Sequence, residues 1–200
     1  MDPGATVPGL LENDPRVRSV RLGGSRASGR YHDFSDWDFL VETDAFATLA
    51  EDLPRIVAPI RPLAHQWDRY SSYECYMLIL AGPQKVDLIF PDEAREWSAA
   101  WEVSPATLVA VDRHFWDWIM WLEQKRSGDR GEVLASGLAD LYELLLRPMG
   151  AEASPASIPA AVETYLARRL ELERRFGLHV PRELENEVRP VVLSRARRRA

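Results

Sequence analysis

Gly23-Gly24-Ser25 closes one short apolar run, and two aspartates one residue apart, Asp36 and Asp38, open the next. Neither feature helps a fold. Glycine weakens helix and strand alike, and carboxylates at i and i+2 of a strand lie on one face, where like charges repel. A divalent cation between them removes the conflict, and Mg²⁺ takes a few carboxylates together with phosphate oxygens. The glycine turn complements this arrangement. Without Cβ atoms the backbone lets a phosphate approach closely, and N–H groups at a helix start favour anions. The two features together describe a site for a nucleoside triphosphate with Mg²⁺. Two ions ~3.5–4 Å apart would activate an attacking oxygen and stabilise a leaving pyrophosphate. Such a site calls for a third acid nearby. Asp87 lies inside the apolar run Val86 to Phe90, where a lone carboxylate is costly to bury unless it meets a cation.

The elements that must position these residues follow from periodicity and turn chemistry. Arg16 to Leu22 alternates apolar side chains with arginines and predicts a strand. Ser25 is placed to cap a helix starting near Arg26, and Trp37 to Val41 reads as a second strand. Phe46, Leu49, Leu53 and Val57 recur at helical spacing behind Asp44, a candidate N-cap. Ile60 to His65, Tyr73 to Leu80 and Val86 to Phe90 read as further strands, the last ended by Pro91. Residues 1–13, rich in Gly and Pro, predict a loose arm or short helix. Beyond residue 104 the texture becomes helical, with segments Thr107 to Lys125, Gly131 to Arg147, Pro159 to Phe176 and Pro181 to Arg198. Pro190 is expected to kink or shorten the last. The expected class is α/β (α+β): a mixed sheet with flanking helices over residues 1–104, then a helical bundle over 105–200, with the site in the cleft between them.

Composition narrows the partners. The apolar share of 46% and charged share of 28% are those of a globular protein. No apolar run approaches a membrane span, and no secretory signal is visible at the N-terminus. Cys75 is the single cysteine, which fits a reducing compartment, so a cytoplasmic location is expected. A net charge of −6 argues against general nucleic-acid binding and favours a cationic small substrate. Lysine occurs only at Lys85 and Lys125, which singles both out for inspection.

Gly24-Ser25, ten intervening residues, Asp36-Trp37-Asp38 and a later strand with Asp87 resemble the pattern of the nucleotidyltransferase superfamily related to DNA polymerase β. More narrowly, GSRA followed by DFSDWDF is similar to the bacterial aminoglycoside adenylyltransferases of the streptomycin 6-type, which are antibiotic-resistance enzymes. His114-Phe115-Trp116, Lys125 and Arg130-Gly131-Glu132 echo that group's helices. The resemblance implies that Gly24, Ser25 and Arg26 hold the triphosphate of ATP and that Asp36 and Asp38 bridge two Mg²⁺ ions. It implies further that Asp87 ligates the catalytic ion, Lys125 touches a phosphate and Glu132 acts as general base. AMP would pass to a hydroxyl of a small, aminoglycoside-like acceptor. The second reading is an antitoxin-type nucleotidyltransferase that binds, and adenylylates, a toxin protein. Either reading admits a homodimer.

Other prominent residues have plainer readings. Trp101, Trp116, Trp118 and Trp121 are expected in the core rather than stacked on a base. Asp33 is expected to shape its loop, and the four histidines show no metal-ligand spacing. The terminal arginines Arg195, Arg197, Arg198 and Arg199 read as a solvated tail.

Overall fold

The computed structural model describes residues 2–32, 35–127 and 131–198. Asp33, Arg130 and Arg199, named above, lie outside them. The chain forms two compact units, Met1–Ser98 and Ala99–Ala200.

The first unit is a five-stranded mixed sheet with flanking helices. In chain order it contains α1 (Pro3–Glu12), β1 (Val17–Leu22), α2 (Gly24–Ala27), β2 (Trp37–Thr43), α3 (Phe46–Val57), β3 (Ala64–Trp67), β4 (Tyr73–Leu80) and β5 (Gln84–Ala94). The strand order is β1-β2-β5-β4-β3, and only β2 and β5 run parallel. Alternation sorts each strand's side chains to two faces. Phe39, Val41, Tyr76, Leu78, Leu80, Val86, Leu88 and Phe90 point to one core, where Val7 and Leu11 of α1 and Leu49, Leu53 and Val57 of α3 meet them. The intervening residues, Asp38, Lys85, Asp87, Met77 and Ile79 among them, belong to the opposite face. There chemistry does not compete with the main core.

Local chemistry moved several boundaries. Ser25 lies inside α2 rather than capping it, because the N-cap is Gly23. Asp44 does not cap α3 either: Ala45 holds that position and Thr43 Oγ1 accepts its N–H at 3.0 Å. Asp44 instead faces Arg18, 3.3 Å away. The segment expected to be extended from Ile60 first makes a 3-10 turn, Ala58–Ile60, and leaves it through Arg61 at φ 49°. β5 continues through Pro91 to Ala94, since its pairing with β4 skips from Glu74–Phe90 to Tyr73–Ala94. Pro91 falls inside this irregularity, where its missing N–H breaks no regular pairing.

The second unit contains α4 (Leu108–Ser127), α5 (Gly131–Leu141), α6 (Ile158–Phe176) and α7 (Glu183–Arg198), with a π-helical segment, Tyr142–Leu146, continuing α5. Pro190 does not shorten α7. It is exposed, so water can serve the carbonyl it leaves without a donor. Trp101, Trp116 and Trp118 are buried, and Trp121 lies against Gly137 of α5, where a Cβ would fall 2.7 Å from its ring. Phe115 stacks on Tyr165 at 3.7 Å. The Tyr165 hydroxyl donates to Asp112, which also pairs with Arg169 at 3.0 Å. Burial pushes the Asp112 carboxyl above the usual carboxylate range. Among the described residues no helix is long and apolar enough to cross a membrane.

Candidate active site

The β1–β2 hairpin and the β2–β5 pair bring the glycine turn and the acids together. At the end of β1 the Gly23 N–H donates to the Asp38 carbonyl at 2.7 Å, carrying the ladder one residue past Leu22–Phe39. The chain then turns through Gly24 at φ 59°, a conformation that favours glycine. A Cβ at Gly24 would fall 1.8 Å from Asp38 Oδ2. The Asp38 carboxylate therefore occupies the space that the missing side chain leaves.

Asp38 is also the Cα partner of Asp87 across the parallel β2–β5 pair, so the two acids stand side by side on one face, about one strand spacing apart. The preceding pair is Trp37 with Val86, and the residues ahead of it are Asp36 and Lys85. Asp36, Lys85 and Asp87 are all buried. On its other side β5 sets Asp87 opposite Met77 and Lys85 opposite Ile79, both fully buried. The charged cluster thus has an apolar wall, which strengthens every electrostatic interaction beside it.

Lys85 is the residue that sequence reasoning missed. Its ammonium lies 2.5 Å from Asp87 Oδ1, with side-chain exposures of 4% and 13%. Its scarcity had marked it, but scarcity assigned no role. The usable signal was the i, i+2 spacing of Lys85 and Asp87 on a strand, which puts both on one face.

Arg26 holds the loop before β2. Its Nε donates to the Ser35 and Asp36 carbonyls, each at 3.1 Å, and its second terminal nitrogen donates to Ser35 at 2.7 Å. The guanidinium plane lies 4.0 Å from the Trp37 ring and 5.1 Å from that of Tyr31. Ser35 is tied in turn to His32, whose N–H reaches the Ser35 hydroxyl at 3.1 Å. This network fixes the backbone at Asp36.

The remaining expected site residues lie in the second unit. Lys125 is in the last turn of α4, 4.9 Å over the Trp121 ring and 3.1 Å from Gln124 Oε1. Glu132 is exposed in the first turn of α5, where an acid complements the helix dipole.

In donor type the first unit fits a divalent cation: Asp36 just before β2, Asp38 on β2 and Asp87 on β5 offer hard carboxylate oxygens, beside a backbone without a side chain. Among the described residues no three carboxylates or imidazoles already converge on one point, and Asp87 is engaged by Lys85.

Comparison with known proteins adds a family match. Residues 7–103 match the family described as the nucleotidyltransferase domain. No curated protein matches the sequence. Solved structures similar to the chain include an aminoglycoside 6-adenyltransferase from Bacillus subtilis, at 9% identity over 94% of this chain and 94% of that one, with a TM-score of 0.36. The polymerase core of TRAMP, an RNA surveillance complex, is 13% identical over 85% of this chain and 55% of that one, with a TM-score of 0.39.

Proposed function

We propose, from the match of residues 7–103 to the nucleotidyltransferase domain family, that this chain is an enzyme that transfers AMP from ATP to a hydroxyl of a small acceptor. The acceptor oxygen attacks the α-phosphorus, the bond between that phosphorus and the bridging oxygen breaks, and pyrophosphate leaves. One observation carries the reading. The side-chain-free, positive-φ backbone at Gly24 abuts the carboxylate of Asp38, itself in register with Asp87. The glycine turn proposed to receive the phosphate therefore lies right beside the acids.

Asp36, Asp38 and Asp87 would hold two Mg²⁺ ions, which supply charge neutralisation at the phosphates and a more acidic acceptor hydroxyl. The chain's own groups do the rest. Gly24 and Ser25 admit the triphosphate, and Arg26 holds the Asp36 backbone within reach of it. In this reading residues 1–104 form the catalytic domain, and residues 105–200 supply Lys125 to a phosphate and Glu132 to the acceptor's proton. The similarity of GSRA and DFSDWDF to streptomycin 6-type enzymes supports an aminoglycoside-like acceptor, and the net charge of −6 suits a cationic one.

The test is incubation with labelled ATP, Mg²⁺ and a panel of aminoglycosides and other polyols, followed by mass spectrometry for gain of an AMP group. A small adenylylated product supports the reading. An unmodified panel, together with AMP on a helical protein that copurifies from the native host, replaces it with the antitoxin-type reading.

A further inference from the structure

Lys85 bears on the order in which the site fills. Its ammonium sits on the Asp87 oxygen that, in the reading above, belongs to a metal ion. Both groups draw on the same carboxylate. At 2.5 Å the ammonium takes up one lone-pair direction of Oδ1 and part of the negative charge that an ion would use. A dication brought beside the ammonium would also repel it strongly, because Met77 and Ile79, fully buried, wall this face and keep the local dielectric low. Lysine's four-carbon stem lets its charge swing away without moving the strand, and an added anion nearby favours that swing. A bound triphosphate provides that anion, on the same face and beside Gly24.

We infer that Lys85 is a positioning residue that competes with the divalent ion for Asp87, so that the third carboxylate holds metal weakly until a triphosphate arrives with it. The inference rests on the nucleotidyltransferase reading of Asp87. It goes beyond that reading by giving the site a binding order: metal alone is held weakly, and metal with nucleotide is held well. A protein so built loads Asp87 with metal poorly until there is a phosphate to act on.

The measurement is Mn²⁺ binding to the nucleotide-free protein, followed by the loss of the free-ion electron paramagnetic resonance signal. Lys85→Met, which keeps length without charge, should bind Mn²⁺ about 10-fold tighter than wild type, a typical coupling between two sites. Lys85→Gln should tighten binding as well and serves if the methionine variant folds poorly. Lys85→Arg keeps the cation and should bind like wild type. In EDTA Lys85→Met should melt below wild type, because Asp87 has lost its counter-ion, and saturating Mn²⁺ should restore it. A purely structural lysine would give the lower melting point without the tighter binding or the metal rescue.

Unchanged Mn²⁺ affinity in both neutral variants overturns the inference. So does a Lys85→Met gain that survives the added Asp87→Asn substitution, since the competition would then not be for Asp87. If the neutral variants tighten Mn²⁺ binding through Asp87 but no acceptor is ever adenylylated, the proposed function fails and the role of Lys85 stands.

Discussion

The carboxylate of Asp38 lies in the space that a side chain on Gly24 would fill, with Oδ2 1.8 Å from the position of the missing Cβ. The glycine and the acid are therefore one feature rather than two, although thirteen residues separate them. Gly24→Ala should displace the Asp38 carboxylate and also strain a backbone at φ 59°, costing about 1–3 kcal/mol and lowering turnover ~10²-fold or more. Gly29→Ala is the control. Gly29 also has positive φ, at 68°, but nothing lies within 4 Å of its added Cβ. It should lose about 1 kcal/mol of stability and keep its turnover. Denaturant titration and steady-state rates check both.

Arg26 presents a fork and a flat face at once: two backbone carbonyls on its edge, Trp37 on its plane. Lysine can supply neither the fork nor the stacking. Arg26→Lys should loosen Asp36 and reduce kcat/KM about 10- to 100-fold, because sub-ångström placement governs such steps. The variant should melt within a few degrees of wild type. Wild-type kinetics would mean that Asp36 is held by something other than the guanidinium.

How much of this was legible in the sequence depended on which forces set each element. The sheet strands and the four C-terminal helices were readable because hydrophobic periodicity selects them. The caps at Ser25 and Asp44 were not, because the helices start from Gly23 and Ala45, and neither N-cap makes a side-chain hydrogen bond. The candidate acids could be picked out by type and spacing, since charge on an apolar strand needs a reason. That Asp38 stands level with Asp87 depends on the register of two parallel strands 49 residues apart in sequence, and local patterns do not set that register. The engagement of Asp87 by Lys85 depends on which strand face turns from the main core, so a rare lysine remained only a rare lysine.

Away from the site, Arg16 bridges β1 to α3. It pairs with Asp14 at 2.7 Å and Asp52 at 2.8 Å, and it donates to the Thr48 carbonyl. Its side-chain hydrogen bond holds the Asp14 carboxyl down at about 2 from an ordinary 3.8. A folded-state pKa below the unfolded one contributes stability that is fully present above the unfolded value and lost as pH falls through the folded one. Asp14→Asn should therefore cost on the order of 1 kcal/mol at pH 7, allowing for solvent screening. The difference from wild type should shrink below pH 4 and vanish near pH 2. Urea unfolding of both proteins across that range checks the window, and a pH-independent difference would assign the loss to packing.

The last prediction separates three acids whose proposed roles differ. Asp38→Asn removes a proposed metal ligand that also abuts Gly24. It should lower turnover ~10³-fold or more at near-normal stability, as expected when several kcal/mol of transition-state stabilisation go. Asp87→Asn should be equally inactive but less stable. Repulsion among three acids alone would make the amide neutral or stabilising. The buried ammonium of Lys85 reverses that sign, because it would lose the Asp87 carboxylate while 4% exposed, at a cost of about 1–3 kcal/mol. Glu132, exposed on α5, should behave like neither. As the proposed base for the acceptor, Glu132→Gln should leave stability and the ATP-induced thermal shift unchanged while kcat falls ~10²–10⁴-fold. Full turnover in Glu132→Gln would leave that carboxylate only its favourable place at a helix start. Full turnover in Asp87→Asn would remove the third ligand from the site, and with it the three-carboxylate mechanism.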